Sequence, residues 1–144
     1  MAQVVYNRFK QRVATAQIDL DSANIRCLIL EATAAGAFDP DLDTVTALLA
    51  VGSVVEATGT GAGRRTATLT VTEDDTNNRA NIALSSAVTW TGANWGDAVA
   101  VVFYDEGSGT DGTRQLIAYY DTGLPITTNG GDLTINTGDI LRLA

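Results

Sequence analysis

The chain contains no histidine. Without histidine it lacks the usual general base near neutral pH, the Ser-His and Cys-His nucleophile pairs, and the commonest metal ligand. Positive charge is scarce as well. Nine lysines and arginines stand against seventeen aspartates and glutamates, a formal net charge of −8, and Lys10 is the sole lysine. An activated lysine would therefore have to be Lys10, in a segment that reads as an exposed helix. Phosphate binding draws its affinity from clustered Lys and Arg, so the balance disfavours nucleic acid. An anionic membrane surface would repel the chain for the same reason. The single cysteine, Cys27, excludes an intrachain disulfide. Its apolar setting, Ile25-Arg26-Cys27-Leu28-Ile29-Leu30, marks a buried small hydrophobe rather than a reactive thiol. No run approaches the about 18 apolar residues of a membrane span. The opening Met1-Ala2-Gln3-Val4-Val5-Tyr6-Asn7-Arg8 lacks the apolar core of a signal peptide, so synthesis and folding in a cytoplasm are expected.

What remains is enough for one folded domain. At 144 residues, a globular chain buries roughly 68–70% of the surface its unfolded form exposes. Apolar residues make up 45% and charged residues 18%, the latter under the usual ~25%, which excludes a disordered chain. Abundant Thr, Val, Ala, Asp and Gly favour strands and turns over helices.

Val5, Phe9 and Val13, four apart, predict one stripe of a short helix over 4–16. Arg8, Lys10 and Arg12 lie largely off that stripe and make this the basic stretch of an acidic chain. Asp19-Leu20-Asp21-Ser22 reads as a turn. Residues 25–32 form an apolar strand, central because both its faces are hydrophobic. A loop over 33–43 follows. Asp43 is the expected cap of a short helical turn carrying Val45, Leu48 and Leu49 on one face. Residues 54–57 suggest a strand. The stretch Thr58-Gly59-Thr60-Gly61-Ala62-Gly63-Arg64-Arg65 reads as a flexible loop ending in paired arginines. From Thr66 to Thr72 the chain is apolar at odd positions and threonine at even ones, a half-buried antiparallel strand closed by a polar turn over 73–78. Further strands are expected over 81–90, 97–104, 115–121 and 133–135. A last one, 140–143, follows a bulge or turn at Gly138-Asp139. Short strands with turn signals between them predict a mainly β chain, an antiparallel β-sandwich or small β-barrel with a short N-terminal helix.

Carboxylates are the remaining candidates for chemistry. Asp39, Asp41 and Asp43 give the opening of a calcium loop, but the glycine and the bidentate glutamate it requires are replaced by Thr44 and Ala50. A solvated loop beside a helix explains them. Glu73, Asp74 and Asp75 sit in a hairpin turn, and Asp105, Glu106 and Asp111 flank Gly107-Ser108-Gly109, where polar turn chemistry suffices. A weak calcium site in one of these turns is the alternative. The glycine-rich loop ends in Arg64-Arg65 rather than the Gly-Lys-Ser/Thr of a phosphate loop. Trp90, Trp95, Phe103, Tyr104, Tyr119 and Tyr120 suit a core better than a sugar-stacking platform. No catalytic residue, cofactor or metal site is assigned, and an enzyme is not expected.

In order along nearly the whole chain, the sequence resembles a group of small virion proteins of tailed bacteriophages. The likeness begins with Val5-Tyr6-Asn7-Arg8-Phe9-Lys10, then Ala16-Gln17-Ile18-Asp19-Leu20-Asp21 and the strand from Ile25. It continues through the glycine-rich loop, the threonine-rich strand and its Asp-Asp turn. Val88-Thr89-Trp90, the run ending Tyr104-Asp105, and Leu116-Ile117-Ala118-Tyr119 follow. The close is Gly131-Asp132-Leu133-Thr134-Ile135 and Ile140-Leu141-Arg142-Leu143, where Asp139 departs from the pattern by intervening after Gly138. The resemblance implies a virion component with no catalytic residues. Its leading form is a decoration or cement protein on the outside of the head, a homotrimer bound to the major capsid protein. A tail or neck component is the alternative, and a carbohydrate-binding module using Trp90 or Trp95 is another. Arg8, Lys10, Arg12, Arg64 and Arg65 are the expected capsid contacts. The N-terminal helix is expected to order on docking, and the β core from Ile25 onward to fold without residues 1–12.

Overall fold

A computed structural model describes residues 3–21 and 24–143 of the chain. In chain order the elements are β1 (Gln3–Val5), α1 (Asn7–Ala14), β2 (Ile25–Ala32), a 3-10 turn (Ala35–Phe38), α2 (Val45–Leu49), β3 (Val55–Glu56), β4 (Arg65–Thr66), β5 (Leu69–Asp74) and β6 (Arg79–Leu84). There follow β7 (Val88–Trp90), β8 (Asp97–Ala98), β9 (Ala100–Asp105), β10 (Gln115–Tyr120), β11 (Ile126–Thr127), β12 (Leu133–Ile135) and β13 (Gly138–Leu143). Strand accounts for 42% and helix for 12%, so the chain is mainly β, with helix far below the usual share of about a third.

The main sheet runs β1-β10-β9-β2-β3, with β4 also pairing β2, and every pairing is antiparallel. Its middle strands are apolar on both faces and covered on both. Ile25, Cys27 and Ile29 of β2, with Val101 and Phe103 of β9, pack against Leu69, Ile82, Leu84, Trp90, Leu133 and Leu141 of the smaller sheets. Leu28 and Leu30, with Val102 and Tyr104, face a second cluster closed by Ala37, Val45, Leu48 and Val54. The first face makes a sandwich-like pair of β layers; the second is roofed by the 3-10 turn and α2. The sheet order leaves free edges, so the layers form no closed barrel, and the sandwich alternative is the one that fits.

Two bulges set the register. In β10, Leu116 faces Tyr104 and Ala118 faces Phe103, which places the extra residue at Ile117. Ile117 and Ala118 then both enter the first cluster. In β13 the shift falls at Ile140, between Asp139 and Leu141, so the phase break seen in the sequence is a β-bulge. It lets the successive residues Ile140 and Leu141 both face inward.

The N-terminal segment departs from expectation. Residues 3–5 form strand rather than helix, pairing with Ala118–Tyr120. Tyr6 and Phe9 are buried in different clusters. Tyr6 also donates its hydroxyl to the Ala37 carbonyl at 3.1 Å. The segment is thus already built into both cores, and a β fold independent of residues 1–12 is not what the structure shows. Val13, the last residue of the expected stripe, is 38% exposed.

Other local readings shift slightly. The cap of α2 is Thr44, whose hydroxyl accepts from the Ala47 amide at 3.2 Å, rather than Asp43. The strand expected over 66–72 is divided between β4 and β5, and the ones over 81–90 and 97–104 are likewise each divided in two. Asp21 N–H reaches the Asp19 carboxylate at 3.1 Å, an Asx turn; Ser22, the end of that expected turn, lies outside the described residues.

Candidate functional site

The main concentration of charged side chains lies where the loop after β9 and the segment between β3 and β4 approach each other. Arg64 is its centre. Its guanidinium donates through Nε and Nη2 to Glu56 at 2.7 Å each, and through Nη1 and Nη2 to Asp111 at 2.5 and 2.9 Å. Arg114 donates to Glu106 at 2.6 and 3.1 Å and to Asp111 at 2.6 Å. The two guanidinium carbons stand 5.6 and 5.8 Å from the centroid of the Tyr104 ring, within reach of its π system. Arg26 joins the edge of the cluster, 3.9 Å from Glu106 and donating to the Arg64 carbonyl at 3.1 Å. Arg12 of α1 reaches the neighbouring Asp105 at 2.8 Å.

Local chain geometry makes this possible. Gly61 has φ +76°, and a Cβ there would lie 2.5 Å from the Thr91 carbonyl oxygen. Gly59 and Gly61 therefore allow close packing against 91–95, and the Trp90 indole N–H closes the loop on the Gly63 carbonyl at 2.7 Å. The segment read as a flexible loop is fastened down. On the opposite side, Val45 N–H and Thr46 N–H bond to the Arg114 and Asp111 carbonyls, at 3.0 and 3.1 Å. The cluster thus joins the roof of the second core to the glycine loop.

The charges hold each other in place. Arg64 and Arg114 keep Asp111 ionised, with a pKa pulled down to about 2 chiefly by the Arg64 hydrogen bonds. Arg114 likewise lowers Glu106. Burial raises the Tyr104 hydroxyl, against the opposing pull of the neighbouring Arg64 and Arg114. Carboxylates clamped this way are poor proton donors near neutral pH. Their evident effect is to fix loops.

The five expected contact arginines and lysine do not form one surface. Arg12 and Arg64 are in the ion pairs just described, each with 14–17% of its side chain exposed, so neither offers a free charge to a partner. Arg65 turns toward the Gly61 and Thr89 carbonyls, at 3.1 and 3.4 Å. Arg8 bonds Gln11 and Lys10 bonds Asn7 on α1, with no carboxylate partner among the described residues. Arg26, Arg114 and Glu56 were not singled out in the sequence. The acidic run 105–111 followed by Arg114 is the one local hint of a charge cluster.

Several of the remaining candidates have structural roles. Asp74 accepts from Asn77, Arg79 and Asn81, and its carboxyl is lowered first by Asn77. Asp39 accepts from the Asp41 amide, and Asp41 from Asn7. Trp90 is 0% exposed, which removes it as a sugar-stacking surface. Among the described residues no helix is long and apolar enough to cross a membrane. Set against known protein families, curated proteins and solved structures, the chain matches none.

Proposed function

We propose that this protein is a virion component of a tailed bacteriophage, a decoration protein on the outside of the head that contacts the major capsid protein, as a homotrimer. The observation carrying this reading is the use made of polar side chains. Arg64 and Arg114 bind Glu56, Glu106 and Asp111 and so stiffen a sheet already buried on both faces. A pre-organised scaffold suits a clamp that must keep its shape while the lattice beneath is under load, since little ordering entropy opposes docking. The order of sequence motifs supports the virion setting. Many copies on a repeating lattice allow each contact to be modest, and cyclic symmetry lets one small chain span several capsid subunits.

Arg8 and Lys10 on α1 are the cationic contacts kept in this proposal. Arg12 and Arg64 act inside the protein, and Arg65 braces the glycine loop. The experiment adds wild-type protein and the Arg8→Glu/Lys10→Glu variant to heads lacking it, then counts bound copies and measures survival on heating. Wild type is expected to bind and protect, and the variant to bind fewer copies. Binding to tails alone would replace the decoration reading with the tail or neck one.

A further inference from the structure

β5 is an outer strand. Its six residues pair with β6 in an unbroken register and with no other strand. The Ser85 amide donates to the Thr68 carbonyl at 2.9 Å, which fixes the phase of the ladder. Hydrogen-bonded and non-hydrogen-bonded pairs alternate in an antiparallel pair. Thr70 and Thr72 therefore turn their backbone groups toward β6, while Val71 and Glu73 turn theirs outward. Among the described residues no backbone hydrogen bond meets that outward row.

Proteins usually protect such an edge with lysine, proline, a bulge or a short strand. Here Leu69-Thr70-Val71-Thr72-Glu73-Asp74 has no lysine, proline or bulge, its charges are the acidic Glu73 and Asp74, and residues 70–73 are all exposed. Val71 is on the inward parity of Leu69, yet 45% exposed, although Ile82 opposite it is fully buried; the difference follows from the outermost place of β5 in its sheet. Beside it lies a hollow of about 390 Å³ whose lining includes Val71, Ala80, Glu73 and Asp75. Asp74 is engaged by Arg79 at 2.8 Å, whereas Glu73 and Asp75 have no ion pair among the described residues and are exposed.

We propose that the outer edge of β5 binds an extended, basic segment of a partner protein by strand addition. The backbone row at Val71 and Glu73 supplies the ladder, as in other sheet-edge recognition. Val71 and Ala80 supply an apolar floor for the stem of a lysine or arginine, and Glu73 and Asp75 receive its charged head. Charge decides against a second copy of this chain at the same edge. Each copy carries −8, and six of its nine cationic side chains are already in ion pairs. This surface is separate from α1 and stands whether or not the assembly is a phage head.

The test titrates the full chain with a labelled peptide of alternating lysine and threonine. Two further probes are its glutamate-for-lysine counterpart and the basic peptide N-methylated at alternate backbone nitrogens. The basic peptide is expected to bind, and each altered probe to bind at least about tenfold more weakly, a change of about 1.4 kcal/mol. Glu73→Lys with Asp75→Lys is expected to cause a similar loss with the melting temperature unchanged. Val71→Pro removes an outward amide without breaking the ladder to β6 and is expected to abolish binding; if it fails to fold, the N-methylated probe on wild-type protein still decides. Equal binding of the N-methylated peptide, indifference to the charge reversals, or no binding at all would overturn the proposal. So would a dimer in solution that Val71→Pro dissolves, since a second copy would then occupy the edge.

Discussion

Arg64 and Asp111, 47 positions apart in the chain, are joined by two hydrogen bonds of 2.5 and 2.9 Å. The pair links the glycine loop to the segment that anchors α2, and Arg64 also holds Glu56. Removing the guanidinium leaves Glu56 without its ion-pair partner and Asp111 with Arg114 alone.

Arg64→Ala is therefore expected to destabilise the fold by about 2 kcal/mol, between the ranges for surface and buried ion pairs. That corresponds to a fall in melting temperature of roughly 5–8 °C for a domain of this size. Thermal unfolding followed by circular dichroism reads it directly. Arg142→Ala, whose pair with Asp139 is about half exposed, should change the midpoint by no more than about 1–2 °C.

The same cluster sets a pH dependence. Asp111 is held at about 2 in the folded chain, below the value of about 3.9 expected when unfolded. A depressed carboxylate contributes stability above its unfolded pKa and loses it as pH falls through its folded pKa. Glu106 is lowered in the same direction. Melting temperature should accordingly drop between about pH 4 and pH 2, and Asp111→Asn should flatten that slope. A slope unchanged in the variant would assign acid sensitivity to other groups.

Cys27 is 0% exposed, and burial pushes its thiol up to about 12. It should not react with a thiol reagent at pH 8 while the chain is folded, and should react at once in denaturant. Because the thiol is raised, its contribution is complete below the unfolded value of about 8.5 and disappears as pH rises toward about 12. Fast labelling of native protein would contradict the buried placement.

Tyr6 and Phe9 anchor the N-terminal segment in the core. Tyr6 and Phe9 are each almost wholly buried, and loss of one such side chain costs about 3–5 kcal/mol. Deleting 1–12 should leave the chain unfolded or aggregated, whereas Arg8→Glu/Lys10→Glu should fold normally. Proton NMR dispersion distinguishes the two.

Much of this fold was readable locally. β2 stands out because Leu28 and Leu30 are apolar on one face while Cys27 and Ile29 are apolar on the other, and both faces are covered. Alternation placed Ala67 and Leu69 inward, at 4% and 3% exposure. It failed at Val71, where parity is right but the strand is the outermost of its sheet. β1 and β11 carry three and two residues and exist through their partners, β10 and β8, so no period reveals them. The cap of α2 was misplaced by one residue because Asp43 and Thr44 are both good caps. The charge cluster was the least legible feature. Glu56 and Arg64 come from one segment and Glu106, Asp111 and Arg114 from another, and the meeting of the two depends on strand order rather than on local pattern. Glycine at 59 and 61 signals flexibility and close packing equally well until 91–95 is seen against it.

The assignment to the head surface is decided by a cryo-EM reconstruction of the particle into which the chain assembles. The expected result is density for this fold on the outside of the capsid, repeated over the lattice as three-fold clusters touching the major capsid protein. Heads without that density, or density confined to the tail or neck, would contradict it.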